Sequence, residues 1–472
     1  MIPTRLTVRP KLPTALHGES SVKLPGFDLW MHYIENVFVI PTRLDVARFK
    51  AALSDTLQLY PHAAGHLVRC GEEWQIALSN AAVPLEIAET ESVSVGISDD
   101  WVLQRNLRLF SASKQAVAHY HESVPDGEEE SRLLLFKITF ATDETALGVS
   151  WHHTLGDATV LRRFIHCLSE RYQGHDVAQL PAPTFTKRSF RSPTPILSAQ
   201  YSPLMPHLTN SCPNSELGQR YANINQDTSW VSFKFPGGRL RRLKEHTMSV
   251  MEGTTTVLSA QDVLTAYVVN LLNRHSAGGP ITRITNAASY RDVPAVVDSP
   301  RVAGNAIYIV PTTLATVSAS LLSTAVAIRN TLSRCRTPVF VEEYMAVAST
   351  LMLSAVNGDR TWLFTATPEK LSVNSNASID WRSAHFGYPH ATRFHTSGLT
   401  DRYLRVFRSN PASTAGRSQG EDSATDDSLD VFFVIARDLR DKVVETIELE
   451  LQAPNFPYNI DVTSPVEGLD SV

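Results

Sequence analysis

Cysteine is scarce and scattered in this chain. The 472 residues hold four, Cys70, Cys167, Cys212 and Cys335, and no two form a CxxC pair. That spacing excludes a disulfide scaffold and a cysteine-ligated structural zinc site, so the four are expected to be reduced, mostly structural thiols. An excess of charge is missing too: 43 basic and 48 acidic residues are mixed along the sequence, for a formal net charge of −5. Neither nucleic acid nor an anionic membrane surface is then an expected partner. No apolar run of roughly 18 residues is present, and prolines interrupt the N-terminal MIPTRLTVRPKLP where a signal peptide needs an unbroken apolar core. The expectation is a soluble, cytoplasmic protein with no membrane span, acting on small molecules. Repeats with a period of roughly 20–50 residues are also lacking, which sets aside solenoids and propellers.

What is present is enough chain for two domains, each with its own core. Segment 132–140 and segment 145–151 have strand character and are separated by the turn-like Thr142-Asp143-Glu144, which predicts a hairpin. From 157 to 172 the apolar residues Val160, Leu161, Phe164, Ile165 and Leu168 recur at helical spacing. Residues 180–218 hold seven prolines, which remove backbone donors and predict an irregular connection. Beyond it, 229–235 reads as a strand, and Ser259 with Asp262 resembles a capping box for a helix running to about Leu272. A helix at 318–332, strands at 403–408 and 431–436 and a helix at 439–447 follow. Segment 409–428 has almost no large apolar residue and predicts a surface loop between two strands. The pattern is α/β (α+β), with two sandwich-like domains: 1–180, a crossover at 181–228, and 229–472 with its flexible loop at 409–428.

The chemistry concentrates in VSWHHTLGDATV, residues 149–160, at the strand-to-helix junction. Neighbouring side chains on a strand point to opposite faces, so His152 and His153 cannot both serve one cleft; one is functional and the other structural. Acyl transfer needs a neutral imidazole within hydrogen-bond reach of an acceptor hydroxyl or amine, to take its proton as the acceptor attacks an activated carbonyl. Asp157 at the first turn of the helix either orders the loop, by capping N–H groups or pairing with an arginine, or orients the imidazole directly.

HHTLGDA, 152–158, resembles the HHxxxDG motif of the BAHD family of acyl-CoA-dependent acyltransferases, whose relatives include the trichothecene acetyltransferases and the condensation domains of peptide synthetases. Further matches follow in order. LSDTLQLYPHAAGHL, 53–67, is similar to the family's LSxxLxxYxPLAGRL, and LSAQDVLTAYVVN, 258–270, resembles the helix that opens the second lobe. SYRDVP, 289–294, and GNAIY, 304–308, are similar to the family's arginine-containing strand and its YFGN segment, and HFGYP, 385–389, stands where DFGWG is found.

The resemblance implies two similar chloramphenicol acetyltransferase-like lobes with the active site at their interface, His153 as general base and His152 as its structural neighbour. It implies that Asp157 pairs with Arg291 and that oxyanion donors come from Asn374, Ser375 and Asn376. Acyl-CoA is then a co-substrate with no permanently bound cofactor or metal, the acceptor is a small alcohol or amine, and the protein is a monomer. A carrier-protein-fed condensation enzyme and a non-catalytic small-molecule binder are the alternatives. Ala158 in place of the motif glycine predicts ordinary helical geometry there. His385 in place of the first residue of DFGWG cannot supply a permanent negative charge. His390 and His395, flanking Arg393, are expected on a solvated loop.

Overall fold

Apolar side chains along Leu134–Phe140 and Thr145–His152 pair as an antiparallel hairpin in the computed structural model, with Phe140 opposite Thr145. The structure describes residues 4–12, 18–98, 100–112, 132–251, 256–275, 279–297, 299–314, 320–411 and 427–464. The hairpin lies at the heart of a six-stranded sheet, in the order Thr4–Val8, Val83–Glu89, Leu134–Phe140, Thr145–His152, Tyr33–Ile40, Arg393–Thr396. A second six-stranded sheet runs Thr228–Phe235, Leu429–Ala436, Tyr403–Arg408, Lys370–Ser375, Arg283–Ser289, Ile307–Thr313. Each has its own apolar core. Phe136, Trp151, Phe164 and Leu168 bury the helix Ala158–Gln173 on the first sheet, and Val231, Phe235, Leu264 and Phe433 bury the helix Ala260–His275 on the second. Full burial of one such side chain stabilises by about 1.5–3 kcal/mol.

The first sheet borrows from the far half of the chain: Arg393–Thr396 pairs antiparallel with Tyr33–Ile40, placing His395 opposite Val37. His395 is therefore a fully buried strand residue rather than part of a solvated loop, and burial pushes its imidazole down to about 3. His390 is exposed. Pairing overrides the local polarity of the segment because Phe394, between its two flanking polar residues, stacks on Trp381 at 4.4 Å.

The proline-rich connection is more ordered than its composition predicts. It contains the short helices Pro195–Tyr201, Pro206–Thr209 and Leu217–Ile224. Pro195 and Pro206 open their helices, where a missing N–H costs nothing and the fixed φ is favourable. The Ser259–Asp262 capping box is formed in both directions, at 2.7 and 3.1 Å. The helix expected at 318–332 runs Leu321–Cys335, capped by Ser320. The loop expected at 409–428 joins two paired strands, and its residues 412–426 lie outside the described ones.

One helix has the length and composition of a membrane span although Glu342 and Glu343 interrupt its apolar run. Pro338–Asn357 has 20 residues and a mean hydropathy of 1.4, enough by length and composition to cross a membrane, yet half of that stretch is buried within the protein. Val341, Tyr344, Met345, Val347 and Met352 lie in the first core, which accounts for the apolar composition without a bilayer.

Candidate active site

The strand Thr145–His152 ends at His152, and the chain turns at once into a tight turn, His153–Leu155. Gly156 follows with φ +139, where an added Cβ would meet the Val160 side chain at 2.7 Å, so this position needs glycine. Asp157 then caps the helix Ala158–Gln173, its Oδ1 accepting from the N–H of Thr159 (3.0 Å) and of Val160 (3.3 Å). Ala158 is the first helical residue and has no positive φ, so glycine is not required at that place. The turn rests on His62, whose Nε2 donates to the Leu155 carbonyl at 3.1 Å.

The change from strand to turn separates the two histidines. His152 is buried, packs edge-on against Tyr33 and bonds through Nδ1 to the Thr154 hydroxyl at 2.7 Å. His153 faces residues of the other half of the chain. Its Nδ1 lies 2.8 Å from Oδ1 of Asn305, and the Asn305 amide nitrogen donates to the His153 carbonyl (2.9 Å) and to Oδ1 of Asp28 (3.0 Å). Those two acceptors fix the orientation of the amide, so its oxygen can only accept, and Nδ1 of His153 must carry the proton. The lone pair is left on Nε2. Burial pushes the imidazole below its ordinary value of 6.5, and the Asp157 carboxylate offsets part of that shift. The ring is thus a neutral base near pH 7. Trp30 stacks on one side of it at 5.4 Å, and the exposed His32 approaches edge-on at 5.0 Å.

Asp157 has no hydrogen bond to His153. Its Oδ2 meets the Arg291 guanidinium at 2.9 Å and accepts from the Ala306 N–H at 3.0 Å. Burial alone would raise this carboxyl, but the Arg291 charge and these hydrogen bonds outweigh it and hold it below the usual carboxylate range. Arg291 also donates to the carbonyls of Val302 (2.9 Å) and Gly304 (2.5 Å). It sits just past the end of the strand Arg283–Ser289 rather than within it.

Behind Asn305 stands a second ion pair. Asp28 Oδ1 also accepts from the Asn305 N–H (2.6 Å), and Asp28 Oδ2 lies 2.8 Å from Nζ of Lys187, both side chains being buried. Asp28, Trp30, His32 and Lys187 carry no sequence signal beyond a lone aspartate among the apolar residues of GFDLW. Asn305 lies in the GNAIY segment but takes a part there that its pattern does not announce.

Asn374 and Ser375 end the strand Lys370–Ser375, with Asn376 buried just beyond. Asn374 donates to the Tyr403 hydroxyl (2.9 Å), the Asn376 side chain donates to Oδ1 of Asn374 (3.1 Å) and its N–H to the Val406 carbonyl (2.7 Å). None of the three is hydrogen-bonded to His153 or Asp157. HFGYP packs on the far part of the motif helix: Phe386 is buried, and its N–H donates to the Ser169 hydroxyl at 2.8 Å.

Comparison with known proteins follows the same lines. A family model described as the transferase family matches residues 30–414. The chain belongs to this family, that of the BAHD acyltransferases. No curated protein sequence matches it significantly. Among solved structures, vinorine synthase superposes with a TM-score of 0.62 at 16% identity, covering 94% of this chain and 97% of its own. The TRI101 protein of F. sporotrichioides, solved with coenzyme A and T-2, gives 0.57 at 15% identity, covering 91% and 97%. An X-domain from teicoplanin biosynthesis gives 0.55 at 15% identity, covering 98% and 100%. At such identities these three share the fold of the BAHD acyltransferase.

Proposed function

We propose that this BAHD acyltransferase moves an acyl group from acyl-CoA to the hydroxyl or amine of a small hydrophobic specialised metabolite, with His153 as general base. The observation that carries this reading is the fixed tautomer. Nδ1–H of His153 is held by Asn305, and a free lone pair on Nε2 belongs to an imidazole kept neutral by burial. Nε2 takes the proton of the acceptor as its oxygen or nitrogen attacks the thioester carbonyl. The tetrahedral intermediate then collapses, the C–S bond breaks, and the same proton returns to the CoA thiolate. No covalent acyl-enzyme is needed.

In this reading Asp157 and Arg291 are supports that hold the turn against the opposite lobe, His152 is packing, and Asn374, Ser375 and Asn376 are the oxyanion donors. The donor's solved-structure counterpart supports the choice of co-substrate, since TRI101 was crystallised with coenzyme A. Within the proposal the enzyme is a cytoplasmic monomer. The test is release of free CoA thiol from acetyl-CoA or longer acyl-CoA donors in the presence of candidate alcohols and amines, with product mass read directly. His153→Ala is expected to lose about 10²- to 10⁴-fold in rate while remaining folded. A folded His153→Ala protein with undiminished turnover sinks the mechanism.

A further inference from the structure

The Asn305 amide can face either way unless something selects its orientation. Were it flipped, its NH₂ would meet Nδ1 of His153, the proton would move to Nε2, and the base would be lost. Three acceptors oppose the flip, the His153 carbonyl, Oδ1 of Asp28 and, at 3.4 Å, the Asp28 carbonyl, and Oδ1 of Asp28 also accepts from the Asn305 N–H. Asp28 is fully buried, so its charge requires a buried counterion. Lys187 supplies it at 2.8 Å.

Lys187 comes from the connection between the lobes, and that connection is laced to the loop that carries Asn305. The Thr184 N–H donates to the Arg301 carbonyl (3.2 Å), and the Ala303 N–H donates to the Thr184 carbonyl (2.7 Å). Next to Lys187, Arg188 donates to the Ala295 carbonyl (2.9 Å) and pairs with Glu342 (2.8 Å). The ammonium is therefore delivered to Asp28 by a fixed stretch of backbone. Gly304 makes room for it: a Cβ there would stand 3.2 Å from Oδ2 of Asp28 and from Cε and Nζ of Lys187.

We propose that Lys187 and Asp28 are a positioning pair for His153, acting through Asn305 to confine the ring proton to Nδ1. Both side chains are buried behind Asn305. Lys187 anchors the Asp28 carboxylate, Asp28 selects the orientation of the amide, and the amide selects the tautomer. The two lobes and their connection must all be seated for Nε2 to be basic, which ties catalytic competence to the docking of residues 184–188. The inference deepens the general-base reading and rests on it for its kinetic consequence, but its structural content can be measured on resting protein.

The experiment is ¹⁵N NMR of histidine-labelled protein without substrate at pH 8, with the His153 signals assigned by their absence from His153→Ala. The unsubstituted protein is expected to show Nε2 as the unprotonated nitrogen. In Lys187→Met, and in the volume-conserving Asp28→Leu/Lys187→Met that leaves no buried unpaired charge, the Nε2–H form is expected to appear. Lys187→Arg is expected to restore the original pattern. In steady-state assays kcat should fall with the lost Nδ1–H fraction, about tenfold where one molecule in ten retains it, with KM for acyl-CoA unchanged. If Lys187→Met does not fold, the double variant and Lys187→Arg still decide. An unchanged tautomer in folded Lys187→Met or in the folded double variant overturns the inference. Absence of acyl transfer with every donor would instead defeat the proposed function and leave the tautomer result standing.

Discussion

Two buried ion pairs flank His153, and they are built differently. In the Asp157–Arg291 pair both carboxylate oxygens are shared among four donors: two helix N–H groups, the Ala306 N–H and the guanidinium. The guanidinium in turn spans the carboxylate and the carbonyls of Val302 and Gly304. In the Asp28–Lys187 pair the lysine makes one close contact, and the other carboxylate oxygen is given wholly to Asn305. The first pair is a strut: a planar fork with several donors ties the motif helix on the first sheet to the loop that follows the strand Arg283–Ser289 of the second. The second is a point charge that leaves its partner free to orient an amide. Asp157 acts on His153 through its field, Asp28 through geometry.

The sharpest way to break this distinction is to remove the strut. Arg291→Ala leaves Asp157 buried without its cation and strips the Val302 and Gly304 carbonyls of a donor, so a loss of about 3–5 kcal/mol is expected. Arg291→Lys should recover only part of it, since an ammonium cannot reproduce the fork. Urea unfolding measures both. A change within about 0.5 kcal/mol, the range of an ordinary surface substitution, would show that the pair bears no weight.

How far each pair was legible follows from its construction. His153 and Asp157 lie in one contiguous string whose turn and cap are set by local chemistry, so the junction and the residue types could be read directly. Arg291 entered through the family resemblance, because 134 residues separate it from Asp157. Asp28 lies 277 residues from Asn305, and no periodicity records such a contact. Fold elements divide in the same way. The hairpin and the capping box are local patterns and were readable, whereas Pro338–Asn357 is apolar around most of its circumference and carries no amphipathic signal. Arg393–Thr396 becomes a strand because it pairs along the edge of Tyr33–Ile40, and Pro195 and Pro206 start helices where the composition predicts an irregular connection.

Gly304 touches both pairs, its carbonyl on Arg291 and its Cα hydrogens against Asp28 and Lys187. Alanine there is allowed by the backbone, and its methyl would crowd Oδ2 of Asp28 and the flexible end of Lys187 at 3.2 Å. The expected cost is about 1 kcal/mol, the low end for overpacking, because the lysine can shift. A crystal structure of Gly304→Ala should show Lys187 displaced from Asp28 while Arg291 keeps its contact with Asp157. Movement of the Arg291 side instead would mean that the lysine pair is the more rigid of the two.

The smallest expected effect separates field from geometry most directly. Burial holds the His153 imidazole below 6.5, and among the carboxylates that pull it back up Asp157 contributes more than Asp28. Neutralising either one lowers the imidazole further, so the acid limb of the kcat/KM profile, which falls as His153 takes up a proton, should move to lower pH. Asp157→Asn should move it further than Asp28→Asn, since the Asp157 charge acts on the ring more strongly than that of Asp28. Each substitution leaves a buried cation without its anion and gives up folding stability, so each profile is normalised to the folded fraction at each pH. A larger shift from Asp28→Asn would reverse the assignment, making Asp28 the residue that acts by charge and leaving Asp157 with the turn alone.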